Sequence, residues 1–339
     1  MNLHMLNLYS SRLYNIINLN NSINLESLNL GQNKITIIEN LDKLTNLKHL
    51  LLNNNQITEI KGLDNLTNLQ KLELNNNKIR EIKGLNYLIN LQELELYNNQ
   101  ITEIKGLNYL INLKELRLFD NLINEINGLD NLINLKTLIL CNNKITEIIN
   151  LDNLINLQFL NLLKNNITEI KGLKTLINLQ NLSLSKNLIM EIKNLDKLTK
   201  LEYLDLSYNC ITEISGLDNL INLKKLNLSN NNITEITGLD NLTDLNILSV
   251  NKNRIKEIKN INNLINLESL ILSNNIIRKI EYINNLRNLQ ILNLSDNLIK
   301  EINIGEFDNF TSLQILYLSK NDINIGDLII NCPKLLIKN

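Results

Sequence analysis

The stretch LLNNNQITEIKGLDNLTNLQKLELNNNKI, residues 51–79, contains one pattern twice. Three asparagines at positions 53–55 return at 75–77, and the leucines and isoleucines around them return with the same period of 22. Self-similarity at a fixed period of about 20–50 residues is typical of repeat proteins, whose stacked units share one continuous core. The last asparagine of the cluster continues the series at Asn33, Asn55, Asn77, Asn99, Asn121, Asn143, Asn165, Asn187, Asn209, Asn231, Asn253, Asn275, Asn297 and, after a final interval of 24, Asn321.

The apolar residues within one unit predict its local structure. Around Asn99, Leu94 and Leu96 alternate as the residues on one face of a short strand do. From Ile101 the apolar residues recur at every third position as far as Leu113, and this spacing favours 3₁₀ turns over an α-helix. Each unit is therefore predicted to consist of one strand, a turn at the asparagine and an irregular return leg.

Asparagine and glycine are expected to serve the turns. An asparagine amide has donors as well as an acceptor, so the last asparagine of each cluster is predicted to bridge its own turn and the backbone of the next unit as a structural ladder. The asparagines before it are interpreted as exposed strand residues. A second column holds glycine in seven units and asparagine in four, as at Gly62 and Asn40. Because both residue types tolerate a positive φ, this column indicates a turn requirement.

These features resemble the leucine-rich repeat family, whose pattern LxxLxLxxNxIxxI occurs, for example, at residues 69–82 and 223–236. The resemblance covers essentially the whole chain. It implies an α/β fold, a right-handed leucine-rich-repeat solenoid or horseshoe with a parallel sheet on the concave face and 3₁₀ or irregular turns on the convex face. The period of 22 and the return leg EIKGLDNL, residues 59–66, look most similar to the leucine-rich-repeat regulatory subunit of protein phosphatase 1, and next to the internalins, which are bacterial surface adhesins.

The repeat continues without a visible boundary, so we expect a single leucine-rich-repeat domain over residues 1–339 with about 15 units. Residues 1–24 form a degenerate first unit, 25–288 form regular units with the period of 22, and 289–339 form irregular C-terminal units. The single proline, Pro333, argues against proline-rich linkers.

Charge and composition exclude several classes of function. The chain has 34 basic and 35 acidic residues, so it lacks the basic surplus with which proteins bind nucleic acid. Three scattered cysteines suggest neither a disulfide framework nor a zinc site. Neither a signal peptide nor a membrane span is evident. We expect a protein without nucleic-acid or membrane partners, located in the cytoplasm, with the nucleus as an open alternative.

No pattern of reactive side chains predicts catalysis. A glutamate column and a lysine column two residues later, as at Glu59 and Lys61, recur on the return legs. Regular alternation of opposite charges is typical of a solvated face rather than of paired catalytic carboxylates. His4 and His49 stand alone. We therefore expect no enzyme activity, no cofactor and no metal.

The repeat is broken at the position two residues before the ladder asparagine. Most units place a small polar residue there, but four consecutive units carry Tyr97, Phe119, Cys141 and Leu163. On strands about 4.8 Å apart these side chains would form an apolar ridge beside a charged group, the usual composition of an interface hot spot. Neutral drift is the alternative, because single exposed apolar residues need no explanation. The predicted partner-binding residues are Tyr97, Phe119, Cys141, Leu163, Ile139, Phe159, Glu95, Glu115, Arg117 and Tyr203.

The expected function is therefore a non-catalytic scaffold that binds a protein partner on its concave face. The resemblance suggests a Ser/Thr phosphatase catalytic subunit as one candidate partner. A secreted or surface adhesin of the internalin kind is the alternative. A substrate receptor for a modifying enzyme is a third reading, although the repeats leave no room for the adaptor module it would need.

Overall fold

The computed structural model describes residues 3–17, 19–302, 307, 309–323 and 336–338. The chain divides into two compact units, Met1–Asn166 and Ile167–Asn339. The expected single domain stays a prediction. Pro333 and Cys332 lie outside the described residues.

The first unit holds eight short strands, which pair in parallel and in sequence order. Each strand is paired with the next at an offset of 22, as Glu73 is with Glu95 and Glu95 with Arg117. The repeat period is therefore the strand-to-strand step. The strands are β1 (Met5–Asn7), β2 (Ser27–Asn29), β3 (His49–Leu51), β4 (Lys71–Glu73), β5 (Glu93–Glu95), β6 (Glu115–Arg117), β7 (Thr137–Ile139) and β8 (Phe159–Asn161).

The second unit repeats this arrangement with eight further parallel strands. The offset grows to 24 where Ile291 pairs with Ile315, at the lengthened unit. Its strands are β9 (Asn181–Ser183), β10 (Tyr203–Asp205), β11 (Lys225–Asn227), β12 (Ile247–Ser249), β13 (Ser269–Ile271), β14 (Ile291–Asn293), β15 (Ile315–Tyr317) and β16 (Leu336–Lys338).

The core of the first unit is aliphatic, and that of the second is aliphatic except for Phe307 and Phe310. From β2 to β14, the middle residue of each strand, such as Leu94 or Leu226, and the residue after the strand, such as Leu96, are at most 1% exposed. The return-leg residues Ile101 and Leu107 are fully buried as well. Since every turn contributes the same inward side chains, burial continues from one turn to the next, and a single turn could not bury its apolar face alone.

The return legs are chains of tight turns. Backbone hydrogen bonds of 3.0 Å run from Leu88 N to Leu85 O and from Leu91 N to Leu88 O, each joining a residue to the third one before it. The predicted 3₁₀-like spacing is confirmed here. The described residues contain no α-helix, because a return leg spaced in threes cannot maintain the hydrogen-bonding pattern of one. The parallel-sheet solenoid is confirmed.

The three asparagines of a cluster have three different roles. The first, such as Asn75, lies just beyond the strand end and is 2% exposed. The second is a turn residue, since Asn54, Asn76 and Asn98 have φ between 53° and 56°. The sequence interpretation of these two positions as exposed strand residues is wrong, because the strand, such as β4, ends before both of them. A left-handed conformation suits asparagine better than most residue types.

The third asparagine makes four hydrogen bonds. The Nδ2 of Asn99 donates to Leu74 O, Leu96 O and Tyr97 O at 3.0, 3.0 and 3.3 Å, and its Oδ1 accepts from Ile79 N at 2.9 Å. Ile79 and Leu74 belong to the preceding turn, so the asparagine reaches back along the solenoid rather than forward to the next unit as expected. The same set of contacts recurs at Asn77, Asn121 and Asn231.

The glycine and asparagine column lies at a positive φ throughout. Gly106 has φ +75°, and an added Cβ there would lie 2.4 Å from Ile82 O. Asn150 occupies the equivalent position with φ +58° and uses its Nδ2 to donate to Ile126 O at 2.8 Å. The predicted turn requirement is confirmed.

Candidate functional site

The exposed strand face of the first unit is a grid of three columns, set by the parallel register. One column runs through Lys71, Glu93, Glu115, Thr137 and Phe159. The next holds Glu73, Glu95, Arg117, Ile139 and Asn161. The third, two residues farther along each turn, holds Asn75, Tyr97, Phe119, Cys141 and Leu163. We call Tyr97, Phe119, Cys141 and Leu163 the ridge.

The aromatic pair of the ridge is stacked. The ring centroids of Tyr97 and Phe119 lie 4.1 Å apart with an interplanar angle of 9°. Both side chains are half-buried, so one part of each ring packs on the turn and the other faces outward. Ile139 and Phe159 lie in the two neighbouring columns and extend the apolar surface across the sheet.

Cys141 continues the ridge as an apolar group. Burial, followed by the charge of Asp120, raises the pKa of its thiol to about 11. A thiol with so high a pKa stays protonated near neutral pH and is a poor nucleophile and a poor metal ligand. Cys141 therefore contributes surface, not reactivity.

The equivalent column of the second unit is built differently. Ser185, Ser207 and Ser229 are buried there, at 4–6% exposure. The hydroxyls of Ser185 and Ser207 are 2.8 Å apart, and Ser229 donates to Asn227 Oδ1 at 2.7 Å. These small side chains are hydrogen-bonded within the fold, so the ridge is a local departure in a column that otherwise serves the structure.

Charged side chains stand beside the ridge on β4, β5 and β6. Lys71 Nζ lies 3.1 Å from Glu73 and 3.2 Å from Glu93. Arg117 is bonded to Glu115 at 2.5 Å and lies 3.9 Å from Glu95. Each cation is thus shared between two carboxylates, and the four glutamates exceed the two cations by two negative charges.

Glu95 is the least compensated of these carboxylates. Its side chain is 15% exposed, and its ion pair with Arg117 is 3.9 Å long. Burial is the main cause that raises the pKa of Glu95, and the charge of Glu73, its register partner, is the second. Two like charges directly opposite each other on neighbouring strands are unfavourable. The fold therefore holds a desolvated carboxylate at the edge of the aromatic pair.

Tyr203 lies in the second unit, on β10. It is half-buried, and its hydroxyl is 3.4 Å from Asp205 Oδ2. Burial, then the charge of Asp205, raises its pKa. Tyr203 belongs to a different compact unit from the ridge, and its predicted part in partner binding stays a prediction.

The glutamates and lysines of the return legs form a solvated, ion-paired face. Lys83 Nζ lies 2.8 Å from Glu59 and Lys193 Nζ lies 3.2 Å from Glu169. Their side chains are 42–51% exposed. Glu59 and Glu169 thus each have a lysine of the next turn as their neighbour, which does not provide the paired carboxylates of acid–base catalysis.

Sequence reasoning missed an exposed apolar stripe on the return legs. Tyr87, Ile89, Tyr109 and Ile111 are 48–59% exposed. Ile133 and others continue the stripe at the same position of the repeat. The signal in the sequence was the isoleucine that recurs at that position of the repeat, but the site was predicted only from departures on the strand face.

A polar groove of about 570 Å³ also runs beside the strands of the first unit. Amides line much of it, and several of their nitrogens are already bonded to the fold: Asn46 donates to Ile23 O, Asn68 to Thr45 O and Asn90 to Thr67 O, at 2.9–3.0 Å. The groove is thus bordered by a second asparagine ladder, which the sequence analysis did not identify.

Metal sites and membrane-spanning helices are both absent from the described residues. There, His, Cys, Asp and Glu side chains nowhere form a group of three or more able to hold a metal ion. Within the same residues no helix has the length and apolar character that crossing a membrane requires.

Known leucine-rich repeats match most of the chain. The family model described as "Leucine Rich repeats (2 copies)" matches residues 45–87, 89–131 and 177–219. Two other leucine-rich-repeat models match residues 265–323 and 222–242. All three models describe repeats and none describes a catalytic family. No curated protein matches the chain significantly.

Solved structures with the same architecture cover nearly the whole chain. A leucine-rich-repeat protein of Leptospira interrogans has a TM-score of 0.89 at 29% identity, over 99% of this chain and 96% of that one. An internalin of Listeria monocytogenes has a TM-score of 0.73 at 30% identity, over 91% and 84%. A plant peptide hormone receptor, solved in complex with RGF2, has a TM-score of 0.75 at 25% identity, over 94% and 55%. The chain therefore belongs to the leucine-rich repeat family.

Proposed function

We propose that this protein is a non-catalytic scaffold that binds a protein partner on the exposed strand face of its first unit, with the ridge at the centre of the contact. The observation that carries the proposal is the stacked pair of Tyr97 and Phe119, in a column that holds the small hydrogen-bonded residues Ser185, Ser207 and Ser229 in the second unit. Aromatic side chains beside charged groups are enriched in the residues that dominate binding energy.

The surroundings of the pair support the same conclusion. Cys141 and Leu163 extend it along the sheet, and Ile139 lies in the neighbouring column, so apolar side chains occupy this face on four successive turns. Ridge side chains about 4.8 Å apart span on the order of 15 Å, which suits the core of a small interface. Among structures of similar fold, the plant receptor named above is bound to a peptide hormone, in keeping with recognition of a polypeptide.

The proposal is tested by affinity capture from lysate of the native cell with three proteins side by side. These are the wild type, the ridge variant Tyr97→Ser/Phe119→Ser/Leu163→Ser, and a matched variant of the exposed return-leg stripe, Tyr87→Ser/Tyr109→Ser/Ile133→Ser. Both variants lose two aromatic rings and one aliphatic side chain from the same region of the chain. We expect the wild type and the stripe variant to retain the same partner and the ridge variant to lose it.

Thermal unfolding of the three proteins controls for damage to the fold. The ridge side chains are half-buried, so we expect a loss of a few kcal/mol for the triple change, including about 0.5–1.5 kcal/mol for the stacked pair. A folded ridge variant that captures the same proteins as the wild type would contradict the proposal, and the ridge would then be neutral drift.

A second candidate function is that of an internalin-like surface adhesin. It is favoured by the 30% identity to the Listeria internalin over 91% of the chain. We propose a cytoplasmic location for the scaffold, and fractionation of the native cell decides between the two, because an adhesin would be found at the surface or in the medium. A Ser/Thr phosphatase catalytic subunit stays a predicted partner, to be tested by the identity of the captured protein.

A further inference from the structure

The ridge lies next to a group of hydrogen-bond acceptors that the chain itself leaves incompletely satisfied. Glu73 and Glu95 face each other in register, with side chains only 17% and 15% exposed. Lys71 contacts Glu73 at 3.1 Å, but the contact of Arg117 with Glu95 is 3.9 Å, since Arg117 is bonded at 2.5 Å to Glu115. Glu95 therefore lacks a cation at hydrogen-bonding distance among the described residues.

A neutral acceptor at the same place is unsatisfied as well. Asn75 is 2% exposed, and its Oδ1 has no hydrogen-bond partner among the described residues. Asn75 follows Glu73 by two residues and precedes Tyr97 by one turn in the ridge column. An unpartnered buried acceptor is unfavourable, so a donor that a partner brought to it would be favoured independently of charge.

No cation of the described residues lies over a ring of the aromatic pair. In the part of the chain that the structure describes, cation–π contacts join Lys34 with Tyr14 and Lys186 with Tyr208, and none involves Tyr97 or Phe119. The site thus combines a parallel ring stack, an excess of carboxylates and a buried acceptor without a hydrogen-bond partner.

One side chain fits all three features. A guanidinium group is planar, permanently charged and weakly hydrated, stacks on aromatic faces and donates five N–H groups. An ammonium group is a compact, strongly hydrated point charge and uses a ring face less well. The aliphatic stem of an arginine could also pack along the ridge.

We propose that Glu73, Asn75, Glu95, Tyr97 and Phe119 form a binding site for an arginine side chain presented by the protein partner. The guanidinium lies against the Tyr97–Phe119 pair and donates towards Glu95, with Glu73 as an additional acceptor and Asn75, whose Oδ1 is buried in the unbound protein, as a further acceptor once its amide turns outward. This inference deepens the proposed function and rests on it, because it specifies what the partner brings to the ridge.

The test uses synthetic probes rather than an unidentified partner. Fluorescein-labelled glycine–serine peptides of equal length carry arginine, lysine or the neutral isostere citrulline, and their binding to the full-length protein is measured by fluorescence anisotropy. We expect the arginine peptide to bind most tightly, the lysine peptide less tightly and the citrulline peptide least. Equal binding of the arginine and citrulline peptides, equal binding of the arginine and lysine peptides, or no binding of the arginine peptide each overturns the inference.

Two isosteric variants localise the effect. Glu95→Gln removes the desolvated carboxylate, whereas Glu103→Gln removes the same charge from an exposed return-leg residue paired with Lys105 at 3.2 Å. We expect Glu95→Gln to weaken the arginine peptide by about tenfold or more, as for a buried charge pair, and Glu103→Gln to leave it nearly unchanged. Equal weakening by both variants would mean diffuse attraction and overturns the site.

The outcome is separable from that of the proposed function. If the ridge variant loses its cellular partner but the arginine peptide does not bind, the scaffold function stands and the arginine site falls. If the peptide binds as expected but the ridge variant keeps its cellular partner, the proposed function fails, and with it the assignment of the arginine to that partner.

Discussion

Replacing a single ladder asparagine tests the physical basis of the fold. Asn231 in the second unit is 8% exposed and lies away from the ridge in sequence. Its Nδ2 donates to Leu206 O, Leu228 O and Ser229 O at 3.0, 3.0 and 3.3 Å. Its Oδ1 accepts from Ile211 N at 3.0 Å. Asn231→Ala removes all four contacts, and the isosteric Asn231→Asp keeps the acceptor but loses the donors.

The partners that remain determine the size of the effect. Leu206 O also accepts from Asn209, and Leu228 O from Asn253, while Ser229 O accepts from Tyr208 N. Only the N–H of Ile211 loses its partner in Asn231→Ala. We therefore expect a loss of about 2–4 kcal/mol in the free energy of unfolding, composed of one orphaned donor and the packing of the deleted amide.

Asn231→Asp should be worse than Asn231→Ala near neutral pH, because it buries a carboxylate beside three carbonyl oxygens. Such a site raises the pKa of the introduced carboxyl, so the folded state binds its proton more tightly than the unfolded chain does. Its destabilisation therefore grows as pH rises from the unfolded-state pKa of about 3.9 towards the raised folded-state pKa, and it stays at its low acid value below about pH 3.9, where the carboxyl is protonated in both states. The destabilisation caused by Asn231→Ala should not change with pH, because alanine introduces no titratable group.

Urea unfolding followed by circular dichroism at neutral and acidic pH measures both effects. Asn230→Asp is the matched control, since Asn230 is the positive-φ residue just before the ladder, and it should cost no more than about 0.5 kcal/mol. If Asn231→Asp proved as stable as the wild type at neutral pH, or less destabilising there than Asn231→Ala, the donor contacts would not be what makes asparagine necessary.

Three further predictions follow from individual positions. Because the pKa of Glu95 is raised, its contribution to folding stability falls as pH rises from the unfolded-state pKa of about 4.3. In urea unfolding, Glu95→Gln should therefore raise the free energy of unfolding by about 0.5–1 kcal/mol at neutral pH and leave it unchanged below about pH 4. A lower free energy of unfolding for Glu95→Gln at neutral pH would contradict this. Gly106→Ala, with its Cβ 2.4 Å from Ile82 O, should lower the free energy of unfolding by about 1–3 kcal/mol, and Gly106→Asn should lower it less. A lower melting temperature for Gly106→Asn than for Gly106→Ala would be evidence against the turn requirement. With its pKa raised to about 11, Cys141 should react with iodoacetamide near neutral pH more slowly than Cys210, as judged by mass spectrometry of the peptides, and faster labelling of Cys141 would refute its assignment as inert.

The repeat made the backbone architecture predictable. A constant period of 22 fixes the register of parallel strands, so the neighbours of Tyr97 in its column could be named from the amino-acid sequence. The ladder asparagine was predictable from the donor and acceptor needs of a buried turn. Its direction was not, since the sequence pattern is the same whether the amide reaches the preceding turn or the following one.

Conformation was harder to predict where the residue type varies. The left-handed residue before the ladder is Asn98 in one turn but Asp120, Lys164 and Tyr208 in others, so its composition indicates no common φ. The burial of Glu95 and the unsatisfied Oδ1 of Asn75 depend on the side chains that neighbouring turns place around them. Such properties belong to a three-dimensional neighbourhood, which the linear pattern does not contain.

Site-specific photo-crosslinking tests most directly whether the ridge is the partner-binding surface. A photoreactive phenylalanine analogue at position 119, in the ridge, is compared with the same analogue at position 111, on the exposed return-leg stripe, in lysate of the native cell. We predict a specific adduct with one protein from position 119, lost in the presence of excess unlabelled wild type, and no such adduct from position 111. Specific adducts from position 111 alone would contradict the account and place the binding surface on the return legs.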